Sequence, residues 1–196
     1  MAGRNRTFDE KAVIAKAIEV FWTHGYEAAA TELLQEAMGL GKGSFYNTYK
    51  GGKHEVFEKA LQQFNEEGEA RFLRMLEESP SKIAFIKSFF LNMSHASKTV
   101  HMKGCFMGNT VAELAFTEPS LKAKAVKALK DLEGLFARAL KAAQDNGELS
   151  ARADIPTLAL HLIHTWNGVN ITRRMYPEPE KLETLIQLQL QVLEKV

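Results

Sequence analysis

The sequence of 196 residues is poor in cysteine, and Cys105 is the only one. A single cysteine excludes an internal disulfide framework, which is typical of secreted proteins. The sequence also lacks an uninterrupted run of about 18 apolar residues, the length that a transmembrane helix needs. The initial segment MAGRNR is not followed by the apolar core of a signal peptide. These absences predict a cytoplasmic protein with no membrane partner.

An excess of charge of either sign is also missing, since 25 Lys and Arg oppose 24 Asp and Glu for a net charge of +1. A chain this neutral is not a general polyanion binder, so contact with a nucleic acid requires a local basic patch that symmetry duplicates. The hydrophobic content of 45% suffices for a buried core. Because helical periodicity recurs along the chain without strand signals or internal repeats, we predict an all-α fold.

Residues 25–57 contain two short helical patterns separated by Gly39-Leu40-Gly41. In the first pattern, Leu34 and Met38 recur at helical spacing and can face a core. Gly39 follows at the position where a left-handed residue commonly ends a helix. Two short helices joined by a three-residue turn are typical of a helix-turn-helix.

The second pattern, residues 41–48, opens with Gly-Lys-Gly-Ser, so the first backbone amides of this helix are free to meet an anion. Phe45 and Tyr49 lie four residues apart and can bury one face of the helix. The remaining surface carries hydrogen-bonding groups suited to base edges or phosphates, on Lys42, Ser44, Asn47 and Thr48. No acid occurs between Ala37 and His54, which makes the patch locally basic. A plain helical hairpin with a solvated lysine face is the alternative.

Three motifs in this region are FxxxGY at 21–26, GLxKGSFY at 39–46 and KxExF at 53–57. Together they closely resemble the N-terminal domain of the TetR family of bacterial repressors, over roughly the first third of the chain. The resemblance implies that residues 42–48 form the recognition helix. It also implies that Tyr46 contacts the DNA backbone and that Lys53 touches a phosphate.

Two further features complete the predicted nucleic-acid interface. Arg4 and Arg6 lie in a basic N-terminal arm that is either disordered or able to enter a minor groove. Family members usually have a Thr-Ser pair at the positions of Ala29 and Ala30, so we expect Thr31 to cap the first motif helix instead. The predicted contacts with double-stranded operator DNA are Arg4, Arg6, Thr31, Gly41, Lys42, Gly43, Ser44, Tyr46, Asn47, Thr48 and Lys53.

The chain is expected to divide into a DNA-binding domain at 1–52, a connecting helix at 53–79 and a ligand-binding and dimerisation domain at 80–196. Proline in Ser79-Pro80 marks the last boundary, because it ends one helix and suits the first turn of the next. The last two predicted helices are apolar over more than one side, so one neighbour cannot cover them. We therefore predict a homodimer paired through these two helices, which the resemblance also implies.

Cys105 permits several interpretations. A lone cysteine in an apolar helix, here predicted over 104–116 and buried all round, is usually a small core residue. Its place at a helix start near His101 and Lys103 is typical of a reactive thiol, and Gly-Cys here resembles a subgroup of the family that senses oxidants or electrophiles. A metal site with His95 and His101, or a nucleophile with His101 as base, is a weaker alternative.

A ligand cavity is predicted in the second domain, with aromatic walls and a few amides. Its candidate residues are Phe89, Met93, Cys105, Phe106, Asn109, Trp166 and Asn170. The sequence thus predicts a ligand-responsive transcriptional regulator without a cofactor, metal or catalytic site, and more specifically a repressor that a small-molecule effector or a thiol-reactive signal releases from its operator. A helical interaction module or a thiol-dependent enzyme without DNA binding is the alternative.

Overall fold

The protein is described here from a computed structural model that covers residues 9–176 and 178–194. Helices occupy this part of the chain, in which no β-strand occurs, so the all-α prediction is confirmed. No helix in these two ranges is long and apolar enough to cross a bilayer. The helices are α1 (Glu10–Ala28), α2 (Thr31–Met38), α3 (Lys42–Thr48), α4 (Gly52–Glu78), α5 (Lys82–Leu91), α6 (Lys98–Lys103), α7 (Phe106–Glu113), α8 (Pro119–Asp145), α9 (Ile155–Met175) and α10 (Pro179–Leu190), followed by a 3₁₀ turn at Gln191–Leu193.

Helices α1–α3 form the head of the molecule, which packs mainly through α1 against the first half of α4. The Phe21 ring of α1 meets the Phe57 ring of α4 edge-on, with ring centroids 4.6 Å apart. Phe57 in turn meets Phe106 of α7 edge-on at 5.7 Å. These rings belong to one buried cluster, so the apolar core continues from the head into the rest of the molecule. Edge-to-face aromatic pairs are favourable contacts and stabilise this junction.

The helix-turn-helix pattern is present, with one difference at its start. Gly39 has φ +69° and ends α2 in the left-handed conformation that the sequence predicts. The prediction that Thr31 caps α2 is wrong, because Thr31 is already the first helical residue and Ala30 occupies the cap position without a side-chain hydrogen bond. Ala29, just before this cap position, is fully buried.

Helices α5–α10 form the body, in which α8 is the central element. It packs against α4, α5, α7 and α9. On one side of α8, the Phe136 ring meets Phe72 of α4 at 5.8 Å and Phe89 of α5 at 5.7 Å. Phe89 also stacks on Trp166 of α9, with centroids 5.5 Å apart. This aromatic cluster joins three helices of the body, α5, α8 and α9, to the second half of α4.

The helix predicted over 104–116 is shorter than expected and not buried all round. Gly104 has φ +64° and interrupts the helical path, so Cys105 becomes the N-cap and α7 begins at Phe106. Phe116 lies beyond the end of α7 and is 97% exposed. Residues 104–105 and 114–116 were therefore wrongly assigned to this helix, because apolar residues in the connecting segments resembled a core pattern.

Glu148 joins two helices of the body. Its carboxylate accepts hydrogen bonds from Ser81 Oγ at 2.5 Å, Lys82 N at 3.0 Å and Ile83 N at 3.2 Å, and so covers the start of α5. Partial burial raises the pKa of Glu148, but these hydrogen bonds outweigh it, and the pKa lies below its ordinary value of 4.5. The charged form therefore stabilises the folded chain.

Replacement of this carboxylate by Glu148→Gln is expected to lower the free energy of unfolding by about 1 kcal/mol at neutral pH, as for loss of a helix cap. Since the folded-state pKa is lowered, the contribution is present above pH 4.5 and is lost as the pH falls through the folded-state value. Urea unfolding at several pH values measures it, with Glu77→Gln as a control on an exposed part of α4. Equal stability of variant and parent at neutral pH would contradict this role.

Candidate functional site

Helix α3 is seated on the head by two aromatic side chains. Phe45 and Tyr49 are both fully buried, and their ring centroids lie 5.8 Å apart. Burial, followed by the negative charges of Glu10 and Glu55, raises the pKa of Tyr49 to about 12. Tyr49 therefore stays neutral at physiological pH and serves as a core residue. These two anchors fix which side of α3 faces outward.

The outward side of α3 contains the predicted DNA-contacting residues. Gly41, Lys42, Gly43, Ser44, Asn47 and Thr48 are all exposed, and Tyr46 is 45% exposed. No side chain caps the first amides of the helix, because Gly41 is the N-cap residue. The structure thus gathers seven of the predicted contacts on one surface, which we call the α3 face.

Four other predicted contacts lie elsewhere. Arg4 and Arg6 are outside the described residues, and Thr31 is half-exposed in the first turn of α2. Lys53 Nζ donates hydrogen bonds to the carbonyl oxygens of Tyr26 at 3.0 Å and Glu27 at 3.4 Å. It also lies 4.5 Å from the centre of the Tyr26 ring. The Lys53 ammonium group therefore holds the end of α1, a role that the sequence did not suggest.

The end of α1 is also tied to the body through Glu113 of α7. Gly25 has φ +80° and breaks the helical path of α1. The next two amides point to Glu113, whose carboxylate accepts from Tyr26 N at 3.0 Å and from Glu27 N at 2.9 Å. The positive φ favours glycine here, and a Cβ would lie 2.7 Å from Glu113 Oε1, so a larger residue would also have to displace this carboxylate. We call this pair of hydrogen bonds the Glu113 link.

Glu113→Gln is expected to loosen the link, because an amide has one acceptor oxygen and no charge to attract two backbone amides. Hydrogen exchange at the Tyr26 and Glu27 amides should then become about five to ten times faster. Exchange measured by NMR, with Glu77→Gln as the control, tests this. Unchanged exchange at both amides would show that Glu113 does not hold the head.

A cavity of about 270 Å³ lies between α4, α5, α7, α8 and α9. Five of the seven predicted ligand-binding residues line it, namely Phe89, Cys105, Phe106, Trp166 and Asn170. Trp22, Phe64 and Arg173 also line it, although the sequence pattern did not indicate them. Arg173 had a detectable signal, since it lies three residues after Asn170 and seven after Trp166, on the same side of the helix.

Two predicted ligand-binding residues do not line this cavity. Met93 is buried, but it lies beyond the end of α5 at Leu91. The helical spacing from Phe89, on which the prediction depended, therefore does not apply to the Met93 side chain. Asn109 instead lines two other pockets, of about 730 Å³ and about 180 Å³. Its amide donates to Lys103 O at 2.8 Å and its oxygen accepts from Arg174 Nη2 at 2.7 Å. Asn109 is thus satisfied by the chain itself.

Cys105 is a buried residue at the start of α7, and its Sγ accepts a hydrogen bond from Gly108 N at 3.3 Å. His95 lies on the surface, where its Nε2 is 2.8 Å from Glu183 Oε1. His101 is buried and its ring nitrogens contact no hydrogen-bonding partner among the described residues. Within those residues no three His, Cys, Asp or Glu side chains are grouped to hold a metal. The proposed His95–His101–Cys105 metal site and the His101–Cys105 catalytic pair are therefore not formed.

The last two helices leave apolar side chains on the surface. Leu160 and Ile171 on α9 are 60% and 55% exposed, and Leu188 on α10 is 60% exposed. His164, Asn167 and Gly168 lie on the same exposed side of α9 as Leu160 and Ile171. We call this surface the α9–α10 face. Three exposed large apolar side chains on two successive helices are typical of an interaction surface.

Sequence comparisons agree with this architecture. The family model described as "Bacterial regulatory proteins, tetR family" matches residues 13–60, and one described as "Tetracyclin repressor-like, C-terminal domain" matches residues 83–188. The chain is 29% identical over 194 residues to the HTH-type transcriptional regulator YezE of Bacillus subtilis (strain 168), covering 98% of this chain and 100% of that protein. It is 28% identical over 193 residues to the HTH-type transcriptional repressor ComR of Escherichia coli (strain K12), covering 95% and 88%.

Solved structures show the same fold. A cysteine mutant of the TetR family transcriptional regulator CifR, in complex with 26-bp double-strand operator DNA, aligns with a TM-score of 0.81 and 22% identity. The alignment covers 96% of this chain and 98% of that one. These relatives are transcriptional regulators and not enzymes. With both its head and its body matched by family models, the chain belongs to the TetR family of bacterial transcriptional regulators.

Proposed function

We propose that this regulator is a repressor that binds double-stranded operator DNA as a homodimer and leaves it when the body binds an effector. The observation that carries the proposal is the α3 face, where buried Phe45 and Tyr49 aim an exposed polar row outward. Lys42 suits phosphates, and the Asn47 side chain suits a base edge. A helix of this size enters a major groove.

Dimerisation through the α9–α10 face would supply the second head. A net charge of +1 gives a single chain little general attraction to DNA, so two copies of the α3 face are needed for tight binding. Two heads related by a twofold axis read half-sites about 34 Å apart or somewhat more. Exposed Leu160, Ile171 and Leu188 provide the apolar contact that pairing of α9 and α10 requires.

The effector signal would pass from the cavity to the head through two contacts. Phe106 lines the cavity and packs on Phe57 of α4, which in turn packs on Phe21 of the head. The carbonyl oxygen of Gly104 accepts hydrogen bonds both from Trp22 Nε1 of α1 at 3.2 Å and from Arg173 Nη2 of α9 at 2.8 Å. A ligand that moves α7 or Arg173 would therefore change how the head sits on the body.

A thiol-reactive signal is the second form that the effector could take. Cys105 lines the cavity and lies next to Gly104 at the junction of head and body. An adduct on its Sγ would occupy the cavity and remove the hydrogen bond with Gly108 N. The setting of such a regulator is the cytoplasm, where thiols are kept reduced.

The proposal is tested by fluorescence anisotropy with the DNA upstream of the chain's own gene and with a shuffled duplex of equal length. We expect the upstream duplex to bind at least about tenfold more tightly, and binding to weaken steeply between about 50 and 200 mM salt. Equal affinity for both duplexes would contradict a sequence-specific operator-binding role.

A further inference from the structure

Three polar side chains of α9 point into the cavity of the body. Trp166, Asn170 and Arg173 follow one another at spacings of four and three residues, which places them on one side of a helix, and all three line the cavity. In each of them a buried polar atom has no hydrogen-bonding partner within the described residues: Trp166 Nε1, Asn170 Oδ1 and Arg173 Nε. Buried polar groups in native proteins are nearly always paired, so three orphaned atoms on one wall indicate a polar ligand.

Arg173 is the charged member of this set. It is only 5% exposed, and within residues 9–176 and 178–194 its side chain donates one hydrogen bond, from Nη2 to Gly104 O at 2.8 Å. Burial lowers its pKa, an effect that the nearby Cys105 thiol partly opposes and that Arg174 reinforces. No ion pair joins Arg173 to a carboxylate in the described ranges. An arginine held in this way is a binding group for an anion, because an unpaired buried cation is costly.

The two carboxylates that border the cavity do not serve as the partner of Arg173. Asp131 accepts from Lys127 Nζ at 2.8 Å and from Asn65 Nδ2 at 3.2 Å. Glu69 is exposed, and its charge acts on Lys127. Both acids therefore belong to a polar group with Lys127 at the edge of the cavity, while Arg173 is buried.

The remaining walls are apolar. Phe64, Phe72, Phe89, Leu132 and Leu135 line the cavity. A cavity of about 150 Å³ is known to hold benzene. The present volume of about 270 Å³ therefore has room for a ring or a short hydrocarbon chain together with a carboxylate.

We infer that the cavity binds a small organic acid, whose carboxylate pairs with the Arg173 guanidinium and whose apolar part lies against Phe64 and Phe89. This inference rests on the proposed function, since it names the chemical class of its effector. It also gives the effector a way to act on the head. An anion that draws Arg173 toward the cavity competes with Gly104 O, which is also the acceptor of Trp22 Nε1 in α1.

Titration calorimetry of the full-length chain compares two probes of nearly equal shape. One is the charged acid, 3-phenylpropanoate, and the other is its neutral amide, 3-phenylpropanamide. The acid is expected to bind at least about tenfold more tightly than the amide, as for a charge-assisted hydrogen bond. In Arg173→Met the preference should fall to about twofold or less, and in Arg173→Lys, which keeps the charge, it should return in part. Arg71→Gln, at the exposed edge of the same cavity, should keep the full preference.

Equal binding of acid and amide by the parent chain would overturn the inference, as would an acid preference that survives Arg173→Met. Failure of the acid to saturate the chain at millimolar concentration would overturn it as well. Binding of the upstream duplex without any added acid is measured on the same preparation. Duplex binding that persists without an acid preference defeats this inference alone, whereas loss of sequence-selective duplex binding defeats the proposed function. Circular dichroism of each variant shows that it is folded.

Discussion

Replacement of Lys42 by alanine together with Tyr46 by phenylalanine is expected to weaken operator binding by about a thousandfold. Each change removes one hydrogen bond to DNA per protomer, so a dimer loses four, at about 1 kcal/mol each. Both side chains are exposed, and neither belongs to the buried pair that seats α3. The fold is therefore expected to remain, and anisotropy with the upstream duplex measures the effect directly.

The control for this experiment is Lys141→Ala. Lys141 is also an exposed lysine, but it lies near the end of α8 and pairs with Asp145. Its loss removes the same charge from the chain without touching the α3 face. If the Lys42→Ala, Tyr46→Phe variant bound the upstream duplex as tightly as Lys141→Ala does, the α3 face would not be the DNA-binding surface.

Charges placed on the α9–α10 face are expected to separate the dimer into monomers. Leu160→Glu combined with Ile171→Glu puts two acids from each protomer into an apolar contact, where unpaired charges are strongly unfavourable. Light scattering should show the mass of one chain, and duplex binding should fall by about a thousandfold, since one head remains where two were needed. The helix itself should survive, because both positions are more than half exposed.

Phe116→Glu is the matched control for dimerisation. Phe116 is another apolar residue on the surface, 97% exposed, but it lies between α7 and α8 and away from the last two helices. This variant should remain dimeric and bind the upstream duplex normally. A dimer that persists in the Leu160→Glu, Ile171→Glu chain would mean that another surface joins the protomers.

The head was predictable from sequence because its determinants are local. The Gly39 turn and the buried pair of Phe45 and Tyr49 follow from backbone conformation and helical spacing alone. The Thr31 cap was wrong because α2 begins one residue earlier than a hydroxyl cap at Thr31 requires, with Ala30 as the N-cap residue, and helix boundaries are the least reliable feature of a sequence pattern. The role of Lys53 at the end of α1 depends in the same way on a tertiary contact.

For the body, most of the residues predicted from sequence for the cavity wall do line it, but the contacts between distant residues were not predictable. Spacing within α9 brought Trp166 and Asn170 to one cavity wall, but it stopped short of Arg173 because a lone arginine in an apolar pattern is usually surface. Asn109 was misplaced because its side chain is bound by Lys103 O and Arg174, partners 6 and 65 residues away. The Glu113 link likewise joins residues 86 and 87 apart, a distance that short-range patterns do not report.

The central claim is that the α3 face lies in a groove of DNA, and photo-crosslinking tests it most directly. A benzoylphenylalanine is placed at position 47 on the α3 face or, as the control, at position 141 at the far end of α8, and the upstream duplex is added before irradiation. We predict efficient crosslinks from position 47 to bases of two half-sites about one helical turn apart, and none from position 141. Tight duplex binding with no crosslink from position 47, or with equal crosslinking from position 141, would contradict the account.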